Sequence, residues 1–122
     1  MRNINLLMVE SSNINFDKVH EMSEGDIAFE KELLHAISNS VKELKEKYLL
    51  GLNNKDPEIL HQARHKVKPT ITIFELRKLS YVLENGRNLI KAKGLNADLD
   101  NHYHLFEEAV DDLLADINST IN

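Results

Sequence analysis

Leu60-His-Gln-Ala-Arg-His-Lys-Val-Lys-Pro-Thr70 decides how this chain is read. Its apolar residues fall at Leu60, Ala63 and Val67 and continue at Ile71 and Phe74, the threes and fours of an amphipathic helix. At about 100° per residue, His65 projects roughly 160° from the centre of that stripe. His61, Lys68 and Thr72 lie within about 60° of it on the same wheel. The pattern therefore predicts a histidine on the polar face, with a lysine one turn away, chemically available and not part of a core.

Working outward, the flanking sequence predicts more helices. Asp56-Pro57-Glu58 starts the helix of His65: a capping acid, Pro at the first helical position, then an acid facing the helix dipole. Pro69 is expected to kink or end its regular part, because it has no N–H for the His65 carbonyl. Upstream, Gly25-Asp26 opens a long helix with Ile27, Leu33, Leu34, Ile37, Val41, Leu44 and Tyr48 on one face, ending near 51–54. A short helix over 15–22, presenting Phe16 and Val19, precedes it. Downstream, Leu76, Leu79, Val82, Leu83, Leu89 and Ile90 mark a fourth helix, closed by Gly94. Leu99, Tyr103, Phe106, Val110, Leu113, Leu114 and Ile117 mark the last. The expected fold is all-α: an antiparallel four-helix bundle with a short extra N-terminal helix. Residues 1–14 are expected to form an N-terminal arm and residues 15–122 the bundle domain.

Composition narrows the chemistry. The 122 residues fit one domain, and without cysteine neither disulfides, thiolate metal sites nor thiol nucleophiles are available. No apolar run approaches a membrane span of about 20 residues, and no signal-peptide pattern is present, so a cytoplasmic domain is expected. The net charge is −5 but unevenly spread. Between Arg64 and Lys93 eight Lys or Arg face only Glu75 and Glu84, whereas from Gly94 onward there are seven acids and no Lys or Arg. Such segregation suits either an acidic partner or neighbouring helices that neutralise each other. The acidic total, and the lack of aromatics among the basic residues, argue against nucleic acid.

Around His65 the sequence resembles the histidine-containing phosphotransfer (HPt) domain of multistep phosphorelays. That family's signature is a His, an apolar residue two later, a Lys three later, then usually Gly and Ser. Here those places hold His65, Val67, Lys68, Pro69 and Thr70. Gly25-Asp26 and Leu83-Glu84 resemble further family positions, and the chain from about Asn15 onward can be laid on the family without large gaps. Two departures stand out: Pro69 replaces the usual small residue, and a later family Gly falls at Glu75. The resemblance implies a phosphocarrier, not an enzyme. His65 accepts the phosphoryl group; Lys68 contacts its oxygens, with Thr70, Arg87 and Lys91 as further contacts. His61, Gln62, Lys66, Pro69 and Thr72 form the docking surface. The implied partners are response-regulator receiver domains or a hybrid histidine kinase, the receiver bringing its own aspartate and Mg2+. No cofactor, nucleic acid or membrane is expected, and the chain is expected to be a monomer.

The chemistry requires few residues. A neutral imidazole is nucleophilic near neutral pH, and phosphoryl transfer depends mainly on positioning and on stabilising charge at the oxygens. Two other classes are compatible with the same residues. One is an adaptor bundle that docks on receivers without carrying phosphate. The other is a metal-binding protein using His61 and His65, one turn apart, with a third ligand from His102 or His104. Gln62 stands where the familiar zinc-helix motif has Glu, so no metal site is expected. Tyr48, Tyr81 and Tyr103 are read as edges of the core.

Overall fold

The computed structural model describes residues 13–121, and every regular element in that range is an α-helix. We number them α1 (Phe16–Ser23), α2 (Ile27–Asn53), α3 (Pro57–Phe74), α4 (Arg77–Lys93) and α5 (Asp100–Ile121). Their starts follow the local chemistry. The side chains of Asn15, Asp26 and Asp56 each accept a backbone N–H of the first turn, supplying donors the helix itself leaves unpaired. Pro57 occupies the first turn of α3, where no N–H is needed. Residues with positive φ close three helices: Glu24 after α1 and Glu75 after α3 are left-handed, and Gly94, at φ 83° and ψ 169°, follows α4.

Packing forms a closed circuit. α2 lies against α3 and α5, α4 lies against α3 and α5, and α1 packs onto α2 and α3. The core runs through the middle of this assembly, with Leu34, Val41, Tyr48, Leu60, Val67, Leu79, Phe106 and Leu113 all buried. At roughly 1.5–3 kcal/mol for each large apolar side chain removed from water, this interior is the main source of stability. No helix among the described residues is long and apolar enough to cross a membrane.

Several details differ from the sequence reading. Ile27 is 70% exposed, because as the first residue of α2 it lies beyond the packed length of its neighbours. Tyr81 is 69% exposed: the buried stripe of α4 runs through Leu79, Val82, Leu83 and Gly86 and leaves Tyr81 on the far side. Pro69 does not end α3, which continues to Phe74. Leu76 caps α4 from outside, and Leu99 precedes α5. Of the expected N-terminal arm, residues 1–12 lie outside the described residues. Asn13 and Ile14 are buried: Asn13 donates to Asp116 on α5 (2.6 Å), and Ile14 belongs to the core. The Asn15 N–H donates to the carbonyl of Phe74 (2.8 Å), so the entry to α1 is fastened to the end of α3.

Candidate functional site

The outer face of α3 is a ridge. Leu60, Ala63, Val67 and Phe74 face the core, so the helical repeat turns His65 and Pro69 to the opposite side, and both are exposed. His61 sits one turn before His65, and the two imidazoles stack with centroids 6.1 Å apart and planes 16° apart. Both residues are exposed, and among the described residues neither His61 nor His65 makes a hydrogen bond or ion pair.

The two slopes of the ridge differ. On the α2 side, Lys66 forms an ion pair with Glu43, and the Thr70 hydroxyl lies 3.4 Å from that of Ser40. Gln62 and Lys66 there line a groove with Glu43, Leu44, Lys47 and Ile59. On the other slope are Lys68 and Thr72, both exposed, and Thr72 shares a shallow depression with Ser80, Tyr81 and Glu84 of α4. Lys78, on the opposite flank of α4, donates to Asp112 of α5 (2.9 Å). The flank carrying Ser80 and Glu84 therefore turns toward α3, and the repeat of three and four places Arg87 and Lys91 on it.

The predicted residues thus separate into groups. His61, His65 and Lys68 share one side of the ridge, and Arg87 and Lys91 lie exposed on the flank of α4 that faces it. Lys68, Arg87 and Lys91 form no ion pair among the described residues, which leaves their charges uncommitted. Thr70 is not with them: it is half-buried and turned to Ser40, because five residues on a helix amount to well over a quarter turn. Lys66, tied to Glu43, and Gln62, which donates to Glu58 (3.0 Å), belong to the α2 slope.

A buried polar cluster beneath this surface went unread in the sequence. The Tyr48 hydroxyl is hydrogen-bonded to His102 Nε2 at 2.7 Å, and both residues are buried. Arg64, the neighbour of His65, places its guanidinium at the same hydroxyl. Burial raises the Tyr48 pKa to about 12, with Arg64 working against the rise. Burial lowers that of His102, which favours the neutral imidazole. Phe106, Val110, Leu113 and Ile117 are buried as the sequence reading has them, and the signal for His102 was its place four residues before Phe106 on that same stripe. Committed to Tyr48 on the inside, His102 cannot serve as a third ligand beside His61 and His65. His104 is exposed and packs edge-on against Tyr103.

No group of three or more His, Asp or Glu suited to a metal ion occurs among the described residues. The acids of α5 are used internally: Asp111 accepts from Lys45 (2.8 Å) and Asp112 from Lys78 (2.9 Å). The charge segregation is therefore partly neutralised within the molecule, while Lys68, Arg87 and Lys91 form no ion pair among the described residues. Comparison with protein-family models, curated proteins and solved structures finds no match to the chain.

Proposed function

We propose that this chain is an HPt-like phosphocarrier in which His65 accepts a phosphoryl group from a receiver-domain aspartate and passes it to another receiver. The observation that carries the reading is an exposed His65 imidazole, without a hydrogen bond or ion pair among the described residues, and an exposed Lys68 one turn away that is likewise unpaired among them, in the sequence frame that resembles the family. The backbone adds support. Glu75, where the family has Gly, has φ +53° and ψ +56°, the left-handed conformation that glycine adopts most easily. The departure from the family at this place is thus one of side chain and not of backbone shape. We read the circuit of α2, α3, α4 and α5, joined by short loops, as an antiparallel four-helix bundle capped by α1.

In the transfer, the unprotonated imidazole nitrogen attacks phosphorus. The N–P bond forms, the aspartyl O–P bond breaks, and the carboxylate leaves with its electron pair. The imidazole's proton stays on the other nitrogen. Lys68 stabilises charge on the phosphoryl oxygens, and Arg87 and Lys91 supply positive potential from α4. The partner contributes the aspartate and a bound Mg2+. The chain itself then needs no cofactor and is a carrier, not an enzyme. It acts as a cytoplasmic monomer on receiver domains or a hybrid kinase, without nucleic acid or membrane.

Incubation with a phosphorylated receiver domain tests this. Acid-labile, base-stable phosphate on His65 is expected. A chain that binds receivers but takes no label is an adaptor, and one that does neither removes the proposal.

A further inference from the structure

The stacked pair His61 and His65 has a second chemistry, independent of phosphate. We infer that the two imidazoles form a bidentate site for a divalent transition-metal ion of the zinc, nickel or copper class, and that an ion held there blocks His65. Both rings stand on one face of α3, exposed, with no nitrogen engaged.

The dimensions are close. A metal–nitrogen bond of about 2.0–2.1 Å, with about 1.1 Å from nitrogen to ring centre, puts each centroid roughly 3.2 Å from a shared ion. A tetrahedral angle at the metal then separates the centroids by about 5.2 Å, and a wider angle by up to about 6.4 Å. The observed 6.1 Å is about 0.9 Å wider than a tetrahedral chelate, and the ring planes lie only 16° apart, so the two rings must turn and close on an ion. Both side chains are exposed, so rotation about χ1 and χ2 can aim the nitrogens at a shared ion without disturbing the core.

Ligand chemistry sets the selectivity. Imidazole suits zinc, nickel and copper, whereas magnesium and calcium prefer oxygen donors. The Mg2+ of a receiver partner would therefore not compete for the site. With only two protein ligands, the remaining positions go to water, and the ion exchanges readily. Glu58, on the same face one turn before His61, supplies a nearby negative charge that offsets Lys68, although its carboxylate accepts from Gln62. An ion on a His65 nitrogen engages the lone pair that phosphoryl acceptance requires. The regulatory part of the inference rests on the phosphocarrier reading; the binding part does not.

The test uses the untagged full chain, titrated with ZnCl2 and separately with NiCl2 by calorimetry, with imidazole resonances followed by NMR. One ion per chain is expected, with the resonances of His61 and His65 affected first. His61→Gln and His65→Gln should each weaken binding by on the order of tenfold or more, because either one destroys the chelate. The double variant should bind little more weakly than either single one. His35→Gln and His104→Gln should bind like the parent chain. Unchanged affinity in His61→Gln, or an equal loss in His35→Gln, overturns the site. Zinc added during phosphoryl acceptance, at constant Mg2+, should slow labelling of the parent chain. Its fractional effect should largely vanish in His61→Gln, whatever that variant's uninhibited rate. Equal inhibition of both chains overturns the regulatory step. Failure of phosphate to label His65 at all counts against the phosphocarrier and leaves the calorimetry standing.

Discussion

Tyr48 and His102 meet at 2.7 Å inside the bundle, joining α2 to α5 directly beneath Gly86 of α4. Arg64, on α3, acts on the same hydroxyl through its positive charge, which opposes the rise of the Tyr48 pKa. Four helices thus contribute to one buried polar junction, and no buried side-chain nitrogen or oxygen among the described residues is left unpaired.

Gly86→Ala is expected to destabilise the chain despite a gain in helix propensity. A Cβ there would overlap the His102 ring and approach the Tyr48 hydroxyl to 2.9 Å, and both groups are held by their mutual hydrogen bond. Propensity favours Ala by about 1 kcal/mol, whereas forcing atoms into a packed interior costs about 1–3 kcal/mol. The steric term should win, because the overlap with the His102 ring is deep, by a net loss of up to about 2 kcal/mol in urea unfolding. Stability equal to or above the parent would show that α4 can move away at no cost.

Acid and alkali should each weaken the fold through the same junction. His102 is harder to protonate when folded, so the unfolded chain binds the extra proton as pH falls below about 6.5. Its contribution is complete above that pH and declines below it, toward the lowered folded value. Tyr48 behaves in the opposite sense. Its pKa rises from 10.0 to about 12 on folding, so the unfolded chain loses its proton first and stability falls as pH rises above 10. Lys45 and Lys78, raised by Asp111 and Asp112, add to the alkaline loss. Urea midpoints across pH, compared with Tyr48→Phe, separate the parts: the variant should retain the lysine component and lose the tyrosine one. An identical alkaline limb in both proteins would refute the assignment to Tyr48.

The sequence was most legible where local chemistry acts alone. Asp26, Asp56-Pro57 and Gly94 mark helix ends in three or four residues each, and the structure has them in those roles. The outward position of His65 also follows from the repeat of α3 alone. What escaped depends on which helix faces which. The burial of His102 and the need for glycine at 86 exist only because α2, α4 and α5 converge there. Tyr81 is aromatic at helical spacing and still exposed, since no neighbouring helix covers that side of α4. Thr70 matched a motif position, but its direction was fixed by the closeness of α2.

At position 75 glycine should outperform alanine. Glu75 holds a left-handed backbone while its carboxylate accepts from Asn15 and Arg77, both at 2.8 Å, and these bonds hold its pKa below the usual carboxylate range. Glu75→Ala loses the bonds and keeps the backbone penalty, whereas Glu75→Gly removes that penalty, worth about 1 kcal/mol. Thermal unfolding should rank Gly above Ala by that margin. Equal stability of the two would mean that α3 ends differently once the side chain is gone.

His65→Gln should abolish phosphoryl acceptance and leave the fold intact, because the imidazole is exposed and makes no hydrogen bond or ion pair among the described residues. His35, exposed on α2, serves as the control, and His35→Gln should accept phosphate like the parent. Far-UV circular dichroism and a urea midpoint within about 0.5 kcal/mol of the parent would establish that folding is unaffected. Normal labelling of His65→Gln would move the nucleophile elsewhere.

Lys68→Ala should slow transfer more than it weakens docking. Lys68 has no internal partner, so its ammonium is free to follow charge onto the phosphoryl oxygens as the N–P bond forms. Arg77 and Lys78 differ, since they are already paired with Glu75 and Asp112. Their removal should alter at most the salt-dependent rate of encounter, which physiological salt screens beyond about 8 Å. Stopped-flow transfer from a phosphorylated receiver, read beside an NMR titration with the unphosphorylated one, separates the two effects. Shifts are expected along the α3 ridge, at His61, His65, Pro69 and Thr72, and on the facing flank of α4. For Lys68→Ala the transfer rate should fall at least about tenfold, equivalent to about 1.4 kcal/mol of lost transition-state stabilisation, while Kd changes less than about threefold. Equal loss in rate and affinity would make Lys68 a docking residue. Shifts confined to the acidic α5 would place the interface on the opposite side of the molecule.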